Sequence, residues 1–170
     1  LYSSIAPEQH DDEYIPFLEY IEEEVNPKTV VEIGTSRGGS LVPWLSSGTS
    51  AETVVSVDFD YKRRNPEFYH SLAQSDTTLH TLKRNSQTKS TRREVEDLVG
   101  AADFIFIDGD HSYEGVRKDW VIWKSLASDD GVIGFHDIIR DKPDRGVGRL
   151  WKELDKKYET EEFICEQSKK

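Results

Sequence analysis

Six short apolar runs, each too brief for a helix, recur along the chain with longer amphipathic or polar stretches between them: Thr29–Ile33, Thr53–Val57, Thr78–Leu82, Phe104–Ile107, Val132–Phe135 and Glu162–Cys165. β-Branched and aromatic residues dominate most of them and turn residues bound them, which is the pattern of buried strands. The stretches between carry helical spacing. Tyr14, Phe17, Leu18, Ile21 and Val25 mark a first helix, and Leu41, Val42, Trp44 and Leu45 a short second one. Asn65 and Pro66 open a third bearing Phe68, Leu72 and Ala73. Thr91 to Glu94 reads as a capping box for a helix that Gly100 ends, and Ser112 caps the helix of Val116, Trp120 and Trp123. Val147, Leu150, Trp151 and Leu154 mark the last. Strands alternating with helices imply an α/β fold: a doubly wound, mostly parallel sheet with helices on both faces and right-handed crossovers, one domain over residues 1–170. The pattern stops after the sixth run without an antiparallel partner, so one sheet edge is expected to be absent or to pair with a second copy in a homodimer.

Charge and composition remove several classes of function. A net charge of −11 repels a polyphosphate backbone, so no nucleic-acid partner is expected; Lys62-Arg63-Arg64 is too small a basic patch to reverse it. No apolar run approaches the ~20 residues that span a bilayer, and the amino terminus lacks a basic-then-apolar signal pattern, so the expectation is a cytoplasmic protein with no membrane partner. The single Cys165 excludes an intramolecular disulfide framework and a cysteine zinc cluster.

Between the first run and the short second helix lies Gly34-Thr35-Ser36-Arg37-Gly38-Gly39-Ser40. Strand, glycine turn and helix in that order let backbone approach a ligand and point unpaired N–H groups at it. Ser36 occupies the second glycine position of a dinucleotide fingerprint, and the G-K-[ST] of a phosphate loop is absent; what remains is E-x-G-x-x-x-G-G with Glu32 on the strand. Asp58 ends the second run, at the position where such units bind a ribose hydroxyl pair. Ionisable residues then gather after two later strands. Asp108, Asp110 and His111 follow Phe104–Ile107, and His136-Asp137 follow Val132–Phe135. Two strands thus deliver acid and imidazole to one sheet edge, where open α/β sheets hold their ligands.

Val31-Glu32-Ile33-Gly34-Thr35 with Gly38-Gly39-Ser40, Ser56-Val57-Asp58, the run Phe106 to Val116 (F-I-D-G-D-H-S-Y-E-G-V) and Gly134-Phe135-His136-Asp137 together resemble class I S-adenosylmethionine-dependent methyltransferases, whose sheet is Rossmann-like. Within that class the chain looks most like the methyltransferase-24-like or cephalosporin-hydroxylase-like group, related to macrolide-sugar O-methyltransferases. The likeness runs from about Tyr14 to about Trp151. It implies that Glu32, Gly34, Thr35, Gly38 and Ser40 surround the methionine part of S-adenosylmethionine. Asp58 would bind its ribose, and Asn85 and Ser86 would border its adenine, with Asp108 also at the cofactor. It further implies a magnesium ion or another divalent metal on Asp108, His136 and Asp137, and His111 as the base that deprotonates a small-molecule or saccharide hydroxyl. His136 departs from the carboxylate of the metal-dependent relatives, and imidazole suits transition metals better than magnesium. Two other classes stay open: a non-haem iron hydroxylase using His111, His136 and Asp108 or Asp137, and a cofactor-binding module without turnover.

Overall fold

The computed structural model describes residues 11–46, 48–61, 66–139 and 145–164. Helix α1 (Asp11–Tyr20) runs into a π-helical turn, Ile21–Val25, which Asn26 closes in the left-handed region at φ 49°. There follow β1 (Thr29–Ile33), α2 (Leu41–Trp44), β2 (Thr53–Asp58), α3 (Pro66–His70), β3 (Thr78–Lys83) and α4 (Lys89–Val99). The chain continues through β4 (Ala102–Ile107), α5 (Tyr113–Trp123), β5 (Ala127–Phe135) and α6 (Val147–Leu154). The strands form one five-stranded sheet in the order β3-β2-β1-β4-β5, parallel at every pairing. The doubly wound parallel sheet expected from the alternation is therefore borne out. Strand order reverses at β1, so the crevice above β1, β2 and β4 is where a ligand is expected.

The two-residue period of the strands sorts the core into two layers. Val31, Ile33, Val55, Val57, Ile105 and Ile107 pack on one face with Trp123 and Leu150, and Val30, Val54, Phe104 and Phe106 pack on the other with Trp44 and Tyr69. Glu32 and Ser56 share the second face, because they sit two residues along from Val30 and Val54 and pair in register. A carboxylate is thereby driven into the apolar layer under α2.

Several sequence expectations are corrected. Glu162–Cys165 is not seen as a strand: residues 162–164 have no regular structure, and Cys165 lies outside the described residues. Phe163 leaves the sheet to pack on the rings of Phe17 and Tyr20. Asp129-Asp130-Gly131, whose composition reads as a turn, is instead part of β5, which starts at Ala127 and absorbs the extra residues in a register shift against Ala102/Phe104. The cap of α4 is Thr88, whose hydroxyl accepts from Thr91 N, while Thr91 donates its own hydroxyl to Asn85 O. Ser112 caps α5 as expected, accepting from Gly115 N. Asn65, Lys62-Arg63-Arg64 and residues 140–144 lie outside the described residues.

Candidate active site

The glycine turn leaves β1 at Gly34, whose φ of +87° and position both demand glycine: a Cβ there would sit 2.3 Å from Asp108 O. The turn thus lies directly against the end of β4, and Gly34 N also donates to Val57 O on β2. Asp58 stitches the turn to β2. Its Oδ2 accepts the N–H groups of Thr35 (2.8 Å) and Ser36 (2.9 Å), and its Oδ1 accepts that of Asp60.

Beneath the turn, Glu32 is fully buried, accepting Ser40 Oγ–H at Oε1 and Thr35 Oγ1–H at Oε2. The hydroxyls continue through Ser56 to Tyr61, and Tyr14 on α1 donates to Ser40 O. Burial pushes the Glu32 carboxyl up to about 8; the Ser40 and Thr35 hydrogen bonds only partly offset this, and the charges of Asp108 and Asp58 add to it. Glu32, Thr35 and Ser40 are therefore a buried hydroxyl and carboxyl network that shapes the turn from below.

Beside the turn, the ends of β4 and β5 bring together Asp108, His111, His136 and Asp137, while the exposed Asp110 accepts from Ser112 N and the Gln87 amide instead. His111 Nε2 lies 3.2 Å from Asp108 Oδ1 and 3.2 Å from Asp137 Oδ2, and His136 Nδ1 lies 3.4 Å from Asp108 Oδ1 and 3.5 Å from Asp137 Oδ1. Burial works to raise the Asp108 carboxyl, but the hydrogen bonds and charges of His111 and His136 outweigh it and hold the group below its ordinary range. Asp137 sits at φ 59°, uncommon for a residue with a side chain, and its Oδ2 pairs with Arg145. The carboxylate of Asp137 is thus shared between His111 and a guanidinium. Asp108, His111 and His136 each offer a donor atom within 4.8 Å of the others, a set of two imidazoles and one carboxylate.

Both halves open on one cleft of about 520 Å³ lined by Gly34, Asp58, Asn85, Ser86, Asp108, His111, His136 and Asp137, among others. Thr35, Gly38, Ser40 and Glu32 lie behind its wall; a Cβ on Gly38 would meet the Tyr69 ring at 2.3 Å. A larger groove of about 730 Å³ runs along β5, lined by Phe17, Phe106, Phe135 and Trp151, and touches the cleft residues only at His136 and Asp137. The smaller space holds Gly34 and Ser36 of the glycine turn and all of the ionisable cluster, which makes it the candidate site. Arg145 also lines the cleft, and sequence reading passes over it: one arginine in a Pro- and Gly-containing loop has no periodicity to betray it.

A family profile described as a methyltransferase domain, Methyltransf_24, matches residues 31–138. An uncharacterized protein of Sinorhizobium fredii is 25% identical over 149 residues, covering 82% of this chain and 16% of the relative. An uncharacterized protein of Acanthamoeba polyphaga mimivirus is 27% identical over 117 residues, covering 64% of this chain and 51% of the relative. The chain thus spans about half or less of the curated relatives it matches. Among solved structures, a caffeoyl-CoA O-methyltransferase-like protein of Staphylococcus aureus superposes with a TM-score of 0.62 at 18% identity, over 91% of this chain and 76% of that one. MycE methyltransferase of the mycinamycin biosynthetic pathway, with Mg and S-adenosylhomocysteine bound, gives 0.57 at 18% identity, over 82% and 40%. An O-methyltransferase of Bacillus cereus with S-adenosylhomocysteine gives 0.53 at 19% identity, over 92% and 76%. At these identities the likeness is one of fold.

Proposed function

From the premise that this chain belongs to the methyltransferase-domain family matched over residues 31–138, we propose that it transfers a methyl group from S-adenosylmethionine to a hydroxyl oxygen of a small molecule or saccharide. The observation that carries this reading is the shared cleft, with the Asp58-stitched glycine turn on one wall and the Asp108, His111, His136 and Asp137 cluster on the other. S-Adenosylmethionine supplies a methyl group on a positively charged sulfur, so the new C–O bond forms as the C–S bond breaks. The chain's own part is to bind, align and deprotonate. Gly34 and Ser36 present backbone at the donor side, Asp58 faces the ribose position, and Asn85 and Ser86 border the adenine position. Asp58, Asp108, Asp110 and Asp137 outnumber Arg145 along the cleft, a field that favours a cationic donor over its neutral product.

His111 is the proton acceptor in this reading. Asp108 and Asp137 both meet the ring at Nε2, so its N–H is shared between two carboxylates that orient it and the proton is taken at Nδ1. General-base help of this kind is worth roughly 10²–10⁴-fold. Magnesium does not fit the cluster: it demands an oxygen shell, whereas two of the three clustered donors are imidazoles and Asp137 is engaged by Arg145. No step is therefore assigned to it. The same donor set favours a second reading, a non-haem iron hydroxylase, whose ligands are two histidines and a carboxylate.

Calorimetry with S-adenosylhomocysteine, followed by methyl-labelled donor and a panel of sugars and catechols, tests the first reading. Binding and label on an acceptor oxygen are expected. No binding of the nucleoside, with tight Fe(II) uptake and oxygen consumption instead, would overturn it in favour of the second.

A further inference from the structure

Asp119 is fully buried on α5, one turn before Trp123 and on the same inward stripe as Gly115 and Val116. No residue of the mechanism above touches it except one. Its Oδ1 accepts Ser86 Oγ–H at 2.8 Å, and Trp123 Nε1–H donates to Ser86 O at 3.1 Å. One helix face therefore grips Ser86 by side chain and backbone together, and Ser86 lines the cleft.

The second oxygen of Asp119 has no hydrogen bond among the described residues. Gln87 lies near enough to favour the charge, yet its amide instead reaches Asp110 at 3.4 Å. A Cβ added to Gly109, which also lines the cleft, would lie 3.5 Å from this same Oδ2. The carboxylate is thus wedged under both the Asn85–Gln87 turn that follows β3 and the Gly109 turn that follows β4. Burial pushes its acid up to about 6, with the Ser86 bond offsetting only part. A buried acid with one good bond is a net cost to folding, and an asparagine or an apolar side chain would carry less of it.

Resting on the methyltransferase reading, we propose that Asp119 is the positioning residue for the nucleoside end of the cleft, fixing through Ser86 the wall against which the adenosine part of the donor is held. It touches no reacting atom; it sets where Ser86 and its neighbours stand.

The experiment measures S-adenosylhomocysteine and adenosine affinity by calorimetry for the wild-type chain and the variants D119A, D119N, S86A and D119A/S86A. Hydrogen exchange of residues 85–88 is followed without ligand. D119A is expected to weaken both ligands about tenfold and to speed exchange at residues 85–88. D119N keeps an oxygen for Ser86 and should stay within about threefold of wild type. S86A should resemble D119A, and the double variant should lose no more than either single change, because both act through one contact. Wild-type affinity in D119A, losses that add in the double variant, or a D119N as weak as D119A would each overturn the proposal. A wild-type chain that binds neither ligand would instead overturn the methyltransferase reading, while exchange at residues 85–88 would still report whether Asp119 holds that wall. Should D119A fail to fold, S86A and D119N decide: S86A with wild-type affinity overturns the proposal.

Discussion

Replacing Glu32 by glutamine isolates the cost of the buried carboxyl beneath the glycine turn. Burial raises this group from its ordinary 4.5 to about 8, so the folded chain keeps a proton that the unfolded chain releases between those pH values. An acid raised in this way contributes stability that is fully present below pH 4.5 and is lost as pH climbs through 8. At about 1.4 kcal/mol for each unit, wild type loses about 2 kcal/mol between pH 6 and pH 8 through this one group. Glutamine has the same shape and cannot ionise. Its oxygen accepts from one of the two hydroxyls, and its amide donates to the other, which can turn because Thr35 already shares a hydrogen with Ser56. The measurement is a pair of thermal melts for each protein, at pH 6 and pH 8. The difference between variant and wild type is expected to grow in favour of glutamine by about 4–8 °C from the lower to the higher pH. Other titrating groups are common to both chains and cancel in the difference. A difference that stays flat across the window would mean that Glu32 is charged throughout, and the account of the buried network would be wrong.

His111→Ala is expected to leave S-adenosylhomocysteine affinity nearly unchanged while turnover with a labelled donor falls about 10²–10⁴-fold; equal loss of both would assign His111 to binding. Asp58→Ala should weaken S-adenosylhomocysteine by more than about 1 kcal/mol in calorimetry, since the Thr35 and Ser36 N–H groups lose their common acceptor. Equilibrium dialysis should show Zn²⁺ or Co²⁺ held more tightly than Mg²⁺, with His136→Ala removing the preference; tighter Mg²⁺ binding would contradict the donor set of Asp108, His111 and His136.

Much of this was legible in the chain because strands and helices here keep their own periods. Phe104 to Ile107 and Val132 to Phe135 are apolar enough to be strands, and the acids that follow them can only stand at the crevice end of the sheet. The last expected strand is missing because Glu162–Ile164, though β-prone, pairs with no strand among the described residues, and Phe163 finds aromatic rings elsewhere. Local composition does not know which edge is near. Asp119 left a signal that was passed over: a carboxylate at a position whose neighbours one turn away, Gly115 and Trp123, both face inward. The Arg145 pairing with Asp137 has no such trace, since it joins a loop residue to a strand end across eight positions without pattern.

The contact between Gly34 and the backbone of Asp108 bears on how such a scaffold diversifies. With no room for even one carbon between them, the donor wall and the acid end of β4 form a single rigid unit. A change that widens the Asp108 turn for a bulkier acceptor must also displace the glycine turn, and would degrade donor binding at once. New acceptor preferences have to be written where a side chain has room, as at Phe59, which projects into solvent beside Asp58. Under the proposed methyl transfer, variation there leaves the distance from donor to His111 untouched, so one template could be retuned for other acceptors without rebuilding the cleft.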